Sequence, residues 1–291
     1  MKKILIPTDF SDISKNSILY GFQLAKDLGL SVELLHVLEI YKFAAGASEA
    51  ELISSILPSD NIKMMEESAM TSFENLIQEI NPSLPASVPF NKKVIAGHLV
   101  NEVISESATE EIELLILAVS RSQDLITRFT HNTISSIISE SMCPVMVVPS
   151  NASYKPIEKL VFATDFNKAD IALLQSFLKL SKNKQPDIQI LHVSPKPIDF
   201  NAELKMTGFK QKIAESINCK CLSYKQIQAK PVVKGILDAL DADNADILLM
   251  LKEHEGFFKS LLEIDATEKI AHYIKIPMLS YREQLFNPNK K

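Results

Sequence analysis

The sequence predicts an α/β protein made of two parallel-sheet domains in tandem, and three observations predict it. The chain has 291 residues, more than the roughly 100–200 of one domain. Short apolar runs alternate with helical periodicities throughout, the pattern of βαβ units. The chain also repeats itself: Lys3-Ile4-Leu5-Ile6-Pro7-Thr8-Asp9-Phe10 is echoed by Lys159-Leu160-Val161-Phe162-Ala163-Thr164-Asp165-Phe166, and Leu35-His36-Val37 by Leu191-His192-Val193. The offsets agree, since 165 − 9 and 192 − 36 both give 156, so one ungapped alignment covers both motifs.

In the first half the strands are expected near 3–8, 32–37, 88–96, 113–119 and 145–149. Continuous apolar runs such as Leu114-Leu115-Ile116-Leu117 suit a sheet covered on both faces. Asp9 and Ser11 are good N-cap residues ahead of Ile18, Phe22 and Ala25, which recur at helical spacing, so the first strand feeds directly into a helix. Asp165 and Asn167 repeat this ahead of Ile171, Leu174 and Leu178. Between Glu51 and Ile80, the positions Ile62, Met65, Ala69, Phe73 and Leu76 predict a core-facing helix, and Lys63-Met64-Met65 offers a Met-rich surface to a partner as a second reading. Further echoes are Val94-Ile95-Ala96-Gly97 with Val232-Val233-Lys234-Gly235, Leu114–Leu117 with Ile247–Met250, and Pro144–Val148 with Pro277–Tyr281. The last offset, 277 − 144, is 133, so the second half lacks a net stretch that the first carries around Tyr41 to Asn81. Asn151–Pro156 reads as the linker between domains at 1–150 and 155–283.

Composition narrows the function. Net charge is −5 and the only basic run is the short Asn289-Lys290-Lys291, which argues against a nucleic-acid partner. Ile4-Leu5-Ile6 is broken by Pro7, far short of a signal segment or a span of ~20 apolar residues, so no membrane role and a cytoplasmic location are expected. Cys143, Cys219 and Cys221 cannot all pair, and the last two fit neither a zinc knuckle nor a C-x-x-C; packing is the expectation for all three. Lys252-Glu253-His254-Glu255 lacks the i, i+4 histidines of a zinc helix, so no metal is expected. Neither a G-x-S-x-G elbow nor a Walker pattern is present.

A first strand ending in Asp, a second ending in Leu-His-Val and a Pro-led last strand, Cys143-Pro144-Val145 in the first half and Pro277-Met278 in the second, come in order and twice over, and resemble the universal stress protein family over nearly the whole chain. The resemblance implies two tandem flavodoxin-like (Rossmann-like) domains, each a five-stranded parallel sheet of order 3-2-1-4-5 with helices on both faces. Because the family often pairs through its last strand, Val145–Val148 and Met278–Tyr281 are expected at an interface between the halves, an internal pseudo-dimer that leaves room for a homodimer. Unknown protein partners complete the expectation.

Members that bind ATP carry Gly-x-x-Gly-x9-Gly-Ser/Thr after the fourth strand, where glycines let amides approach phosphates at a helix N-terminus. Here those positions fall on Ala118, Arg121 and His131, with Asn132 at the hydroxyl; in the second half they fall on Leu251, His254 and Ile264, followed by Asp265. With every glycine replaced, the leading reading is a non-enzymatic stress-response or signalling module with degenerate nucleotide motifs. The alternative is an ATP- or AMP-binding switch with weak hydrolysis and the nucleotide in the N-terminal domain. Its residues would be Pro7, Thr8, Asp9, Val37, Ala118, Arg121, His131, Asn132 and Thr133, in a donor-rich stretch that also holds Ser120, Ser122, Thr127, Arg128 and Thr130. Asp9 and Asp165 are either nucleoside contacts or helix caps. His36 and His192 are expected to be structural.

Overall fold

The computed structural model describes residues 1–39, 59–120, 128–181, 186–217, 222–252 and 275–286. The N-terminal half runs β1 (Lys3–Pro7), α1 (Asp12–Leu28), β2 (Ser31–Glu39), α2 (Ser59–Ile80), β3 (Phe90–Gly97), α3 (Leu99–Ser107), β4 (Ile112–Val119), α4 (His131–Glu140) and β5 (Val145–Pro149). The C-terminal half runs β6 (Lys159–Ala163), α5 (Asp170–Leu180), β7 (Asp187–Ser194), α6 (Phe200–Ser216), β8 (Leu222–Gln228), α7 (Val232–Ala242), β9 (Ile247–Lys252) and β10 (Met278–Arg282). Among the described residues, no helix is long and apolar enough to cross a membrane.

The ten strands among the described residues form one sheet, in the order β3-β2-β1-β4-β5-β10-β9-β6-β7-β8. Each half therefore has the expected 3-2-1-4-5 order, but the two sheets are joined into one. Every pairing is parallel except β5 with β10. The physical reason for the join is the open edge that a last strand leaves, whose amides and carbonyls need partners. Met146 faces Leu279 across this seam, flanked by Val147 with Met278 and Val145 with Ser280. Under the offset of 133, Met146 and Leu279 are counterparts, so the pair marks a local pseudo-twofold axis, the geometry of a self-complementary interface.

Alternation along the strands divides the core in two. Ile4, Ile6, Phe22, Phe73, Leu114, Leu160, Phe162 and Leu249 pack on one face, under α1, α2, α5 and α6. Leu5, Leu35, Leu115, Val161, Leu191 and Leu248 pack on the other, under α3, α4 and α7. Both clusters run without interruption across the two halves.

Three local expectations are corrected. Val232–Gly235 is the start of α7, not a strand echoing Val94–Gly97; the third strand of the second half is Leu222–Gln228. Pro231 stands at the N-cap, where a missing amide costs nothing, and the β-branched pair after it is tolerated because Val233 and Ile236 are buried. On α2, Ala69, Phe73 and Leu76 are buried, whereas Met65 is 39% and Met64 66% exposed, so the core face begins a turn later than the periodicity suggested. On α5 the helix opens at Asp170, with Ala169 at the N-cap and no side-chain cap; Asn167 instead accepts from the Ala169 amide at 2.8 Å in the preceding turn.

The linker is docked along its length. Asn16 on α1 donates to the Pro149 and Ala152 carbonyls at 3.1 and 3.0 Å, and the Tyr154 hydroxyl donates to Asp27 at 2.7 Å. Lys155 pairs with Asp246, whose other oxygen accepts from the Glu158 and Lys159 amides, both at 2.8 Å. Across the seam, Arg282 Nη1 donates to the Glu140 and Ser141 carbonyls at 2.6 and 3.1 Å, capping the C-terminus of α4 from the other half.

Candidate functional site

The order 2-1-4 brings the carboxyl ends of β2, β1 and β4 side by side, at the switch point where open α/β sheets bind ligands. Pro7 closes β1, and Thr8, Asp9, Val37 and Ala118 gather there on neighbouring strands. Thr8, Val37 and Ala118 are 3%, 2% and 2% exposed.

A turn of fixed design follows β1. The Thr8 hydroxyl accepts from the Phe10 amide at 3.0 Å and donates to Ser14 Oγ at 2.9 Å, while the Thr8 carbonyl accepts from His36 Nδ1–H at 2.8 Å. Phe10 sits at φ 63°, a left-handed conformation that a bulky residue rarely adopts, and its ring stacks on His36 with centroids 4.4 Å apart. Phe73 meets Phe10 edge-on at 4.9 Å. The second half reproduces all of it: Thr164 accepts from the Phe166 amide at 2.8 Å and donates to Asp170, and His192 Nδ1–H donates to the Thr164 carbonyl at 2.8 Å. Phe166 has φ 69°, stacks on His192 at 4.4 Å and meets Phe209 edge-on at 5.5 Å. The repeated Thr-Asp-Phe and Leu-His-Val motifs are thus two sides of one contact, and both histidines are structural. Burial holds His36 below its ordinary value, with the nearby Arg128 charge acting in the same sense and the Thr8 hydrogen bond opposing them.

Asp9 is not the N-cap of α1. That place is taken by Ser11, whose hydroxyl accepts from the Ser14 amide. Asp9 Oδ1 accepts from the Ser11 amide at 3.1 Å and from the Ser11 hydroxyl, and Oδ2 accepts from the Arg128 amide at 2.9 Å. The Arg128 guanidinium then donates to the Val37 carbonyl at 3.1 Å. Arg128 thereby ties the segment before α4 to β1 and β2, using both polar groups that the cleft offers at Asp9 and Val37.

At the start of α4, Thr130 is the N-cap, and its hydroxyl accepts from the Thr133 amide at 3.3 Å and meets the Thr133 hydroxyl at 3.0 Å. Asn132 is exposed and Thr133 half-buried. Arg121, Ser122 and Thr127 lie outside the described residues, as does the side chain of His131; so do His254, Ile264 and Asp265 of the second half, and Cys219 and Cys221. Sequence reasoning placed Arg128 in a run of donors without singling it out. Its signal was position, three residues before the first turn of α4, within reach of the strand ends.

In the C-terminal half a cavity of about 60 Å³ lies at the corresponding place, lined by Thr164, Asp165, Asp170, His192, Val232 and Met250. As bounded by the described residues it is far below the ~300–1,000 Å³ of small-molecule sites. Cys143 is buried, and burial pushes its thiol up to about 12, so it is no nucleophile at neutral pH. Among the described residues, no group of His, Cys, Asp and Glu could hold a metal ion.

The sequence profile of the Universal stress protein family matches residues 1–149. Universal stress protein MJ0531 of Methanocaldococcus jannaschii is 24% identical over 149 residues, covering 50% of this chain and 81% of that protein. A crystal structure of a universal stress protein from Archaeoglobus fulgidus superposes with a TM-score of 0.67 at 19% identity, over 96% of this chain and 98% of that one. A functionally unknown protein from Pseudomonas aeruginosa, PA1789, superposes at 0.55 and 12% identity, over 97% and 92%. At such identities the two structural likenesses are likenesses of fold.

Proposed function

The chain belongs to the universal stress protein family, and from that premise we propose that it is a non-enzymatic stress-response module of the cytoplasm, acting through protein partners, whose N-terminal cleft is held closed by its own Arg128. The observation that carries this reading is the pairing of Asp9 with the Arg128 amide and of the Val37 carbonyl with the Arg128 guanidinium. A ligand at these strand ends has to displace a charge-assisted hydrogen bond, worth about 1.5–3 kcal/mol where it is partly buried. The loss of every phosphate-cradling glycine, at Ala118, Arg121 and His131, supports the same reading. So does the buried, unreactive thiol of Cys143.

The second reading, an ATP- or AMP-binding switch with weak hydrolysis in the N-terminal half, is favoured by one feature. The same Arg128 is a fixed cation at the mouth of the cleft, where it could turn to a phosphate. Two measurements separate the readings: mass spectrometry of ligands retained on gently purified protein, and titration of wild type, Arg128→Ala and Asp9→Ala with ATP and AMP. The closed-cleft reading expects no retained nucleotide and no saturable binding by wild type. A stoichiometric adenine nucleotide whose binding Asp9→Ala abolishes would replace it with the switch.

A further inference from the structure

We propose that the C-terminal half binds a small zwitterion, a molecule with one carboxylate and one ammonium, in a cavity at the amino ends of β6, β7 and β8. This is the end of the strands opposite Thr164 and His192, so the proposal stands apart from the reading of the carboxyl-end clefts.

The argument comes from comparing the two copies. In the N-terminal half the amino end of β1 is closed by an ion triad: Lys3 Nζ lies 2.9 Å from Glu33 Oε2 and 2.6 Å from Glu111 Oε2. These carboxylates raise the Lys3 ammonium above its ordinary value. The offset of 156 makes Lys159 the counterpart of Lys3 and Gln189 that of Glu33, and the offset of 133 makes Asn244 the counterpart of Glu111. The backbone frame is the same in both, since Leu5 pairs with Glu33 as Val161 pairs with Gln189. Only the side chains differ, and both carboxylates are gone.

What remains is an open cavity of about 360 Å³, within the ~300–1,000 Å³ typical of small-molecule sites. Its floor is apolar, with Leu160 and Val161 buried beneath it. Its polar lining is Lys159, Asp187, Gln189, Ser223 and Asp243. Among the described residues no carboxylate lies within ion-pair distance of Lys159, while Asp243 is paired with Lys225 at 2.8 Å. Gln189 stands in the lining where the N-terminal half has Glu33, and its Oε1 is buried with no hydrogen-bond partner, so the amide does not replace the lost carboxylate as a partner for the lysine.

The charges select the ligand. A carboxylate finds the Lys159 ammonium and the Ser223 hydroxyl, and an ammonium finds Asp187. A polyanion is repelled by Asp187 and a simple cation by Lys159, so a molecule carrying one charge of each sign is the best match.

The test is calorimetric titration of the full chain with free amino acids and γ-aminobutyrate, with acetate and methylamine as single-charge controls. Wild type is expected to bind at least one zwitterion saturably and neither control. Gln189→Glu, which rebuilds the N-terminal ion pair, and Lys159→Ala are each expected to weaken that binding at least about tenfold, with an unchanged far-ultraviolet circular dichroism spectrum to confirm folding. Failure of every zwitterion to bind wild type, equal binding of acetate, or undiminished affinity in Gln189→Glu overturns the proposal. None of these outcomes depends on whether the Asp9 cleft takes a nucleotide.

Discussion

Phe10 and Phe166 hold the same left-handed conformation, at φ 63° and 69°, because the amide of each is fixed by a threonine hydroxyl and the ring by a histidine. A non-glycine residue in that region costs roughly 1–2 kcal/mol, so the turn is strained and is maintained by the stack and the hydrogen bonds. Phe10→Ala and Phe10→Gly both lose the ring, but only glycine relieves the backbone. The glycine variant is therefore expected to be the more stable by about 1 kcal/mol in urea denaturation, the reverse of the usual order. An alanine variant equal to or better than glycine would show that the left-handed turn is not what constrains the site. His36 supplies a pH signature. Its folded value lies below the ordinary 6.5, so the unfolded chain takes up a proton first as pH falls. The stability that neutral His36 contributes is complete above about pH 6.5 and is lost below it. Between pH 7 and 5 the urea midpoint of wild type is expected to fall, and His36→Gln to flatten that slope. At this scale the sequence was legible where a motif recurred: the 156-residue offset announced the Asp9, His36 and Phe10 positions twice. It was not legible where a single residue acts through backbone atoms. Arg128 binds Asp9 with its amide, which any side chain would carry, and only the fold reveals which amide arrives there.

At the scale of elements, the strands were readable from their continuous apolar runs, and observed limits such as Phe90–Gly97 and Ile112–Val119 fall within two residues of those expected. The one misassigned segment, Val232–Gly235, shows why short apolar runs mislead. Two adjacent valines suit a strand or the buried face of a helix, and the deciding residue was Pro231 just before them. Element packing also made a contact with no sequence signal, Arg282 at the C-terminus of α4. Its counterpart in the first half is Pro149, which has no side-chain donor, so Pro149 cannot repeat the contact. Arg282→Ala is expected to lower stability by about 1 kcal/mol, the value being modest because the guanidinium is partly solvated. Hydrogen exchange should quicken at the last turn of α4 while the equivalent positions of α1 stay protected; equal exchange in variant and wild type would mean that the cap contributes nothing.

For the whole molecule, the repeat in the sequence announced two units and the family resemblance implied the order 3-2-1-4-5 in each, and the structure joins them into a single sheet with both core clusters continuous across the seam. That join depends on register between segments more than a hundred residues apart, which local periodicity does not carry. Halves sharing a sheet and two cores are expected to unfold together. Calorimetry should give one transition with equal van't Hoff and calorimetric enthalpies, whereas two resolved transitions would mean that the seam is energetically weak.

The seam between β5 and β10 has a further consequence, for dilution. Two separate chains meeting through their last strands are held by mass action and part when their concentration falls below the dissociation constant. Here the partner strand is delivered by the docked segment from Ser150 to Glu158, so the encounter is intramolecular, at the millimolar effective concentrations typical of short tethers. The melting temperature of the intact chain should then stay constant across a hundredfold dilution. Cleavage of the linker should make it concentration-dependent, with the two cut edges free to pair with other copies instead of with each other.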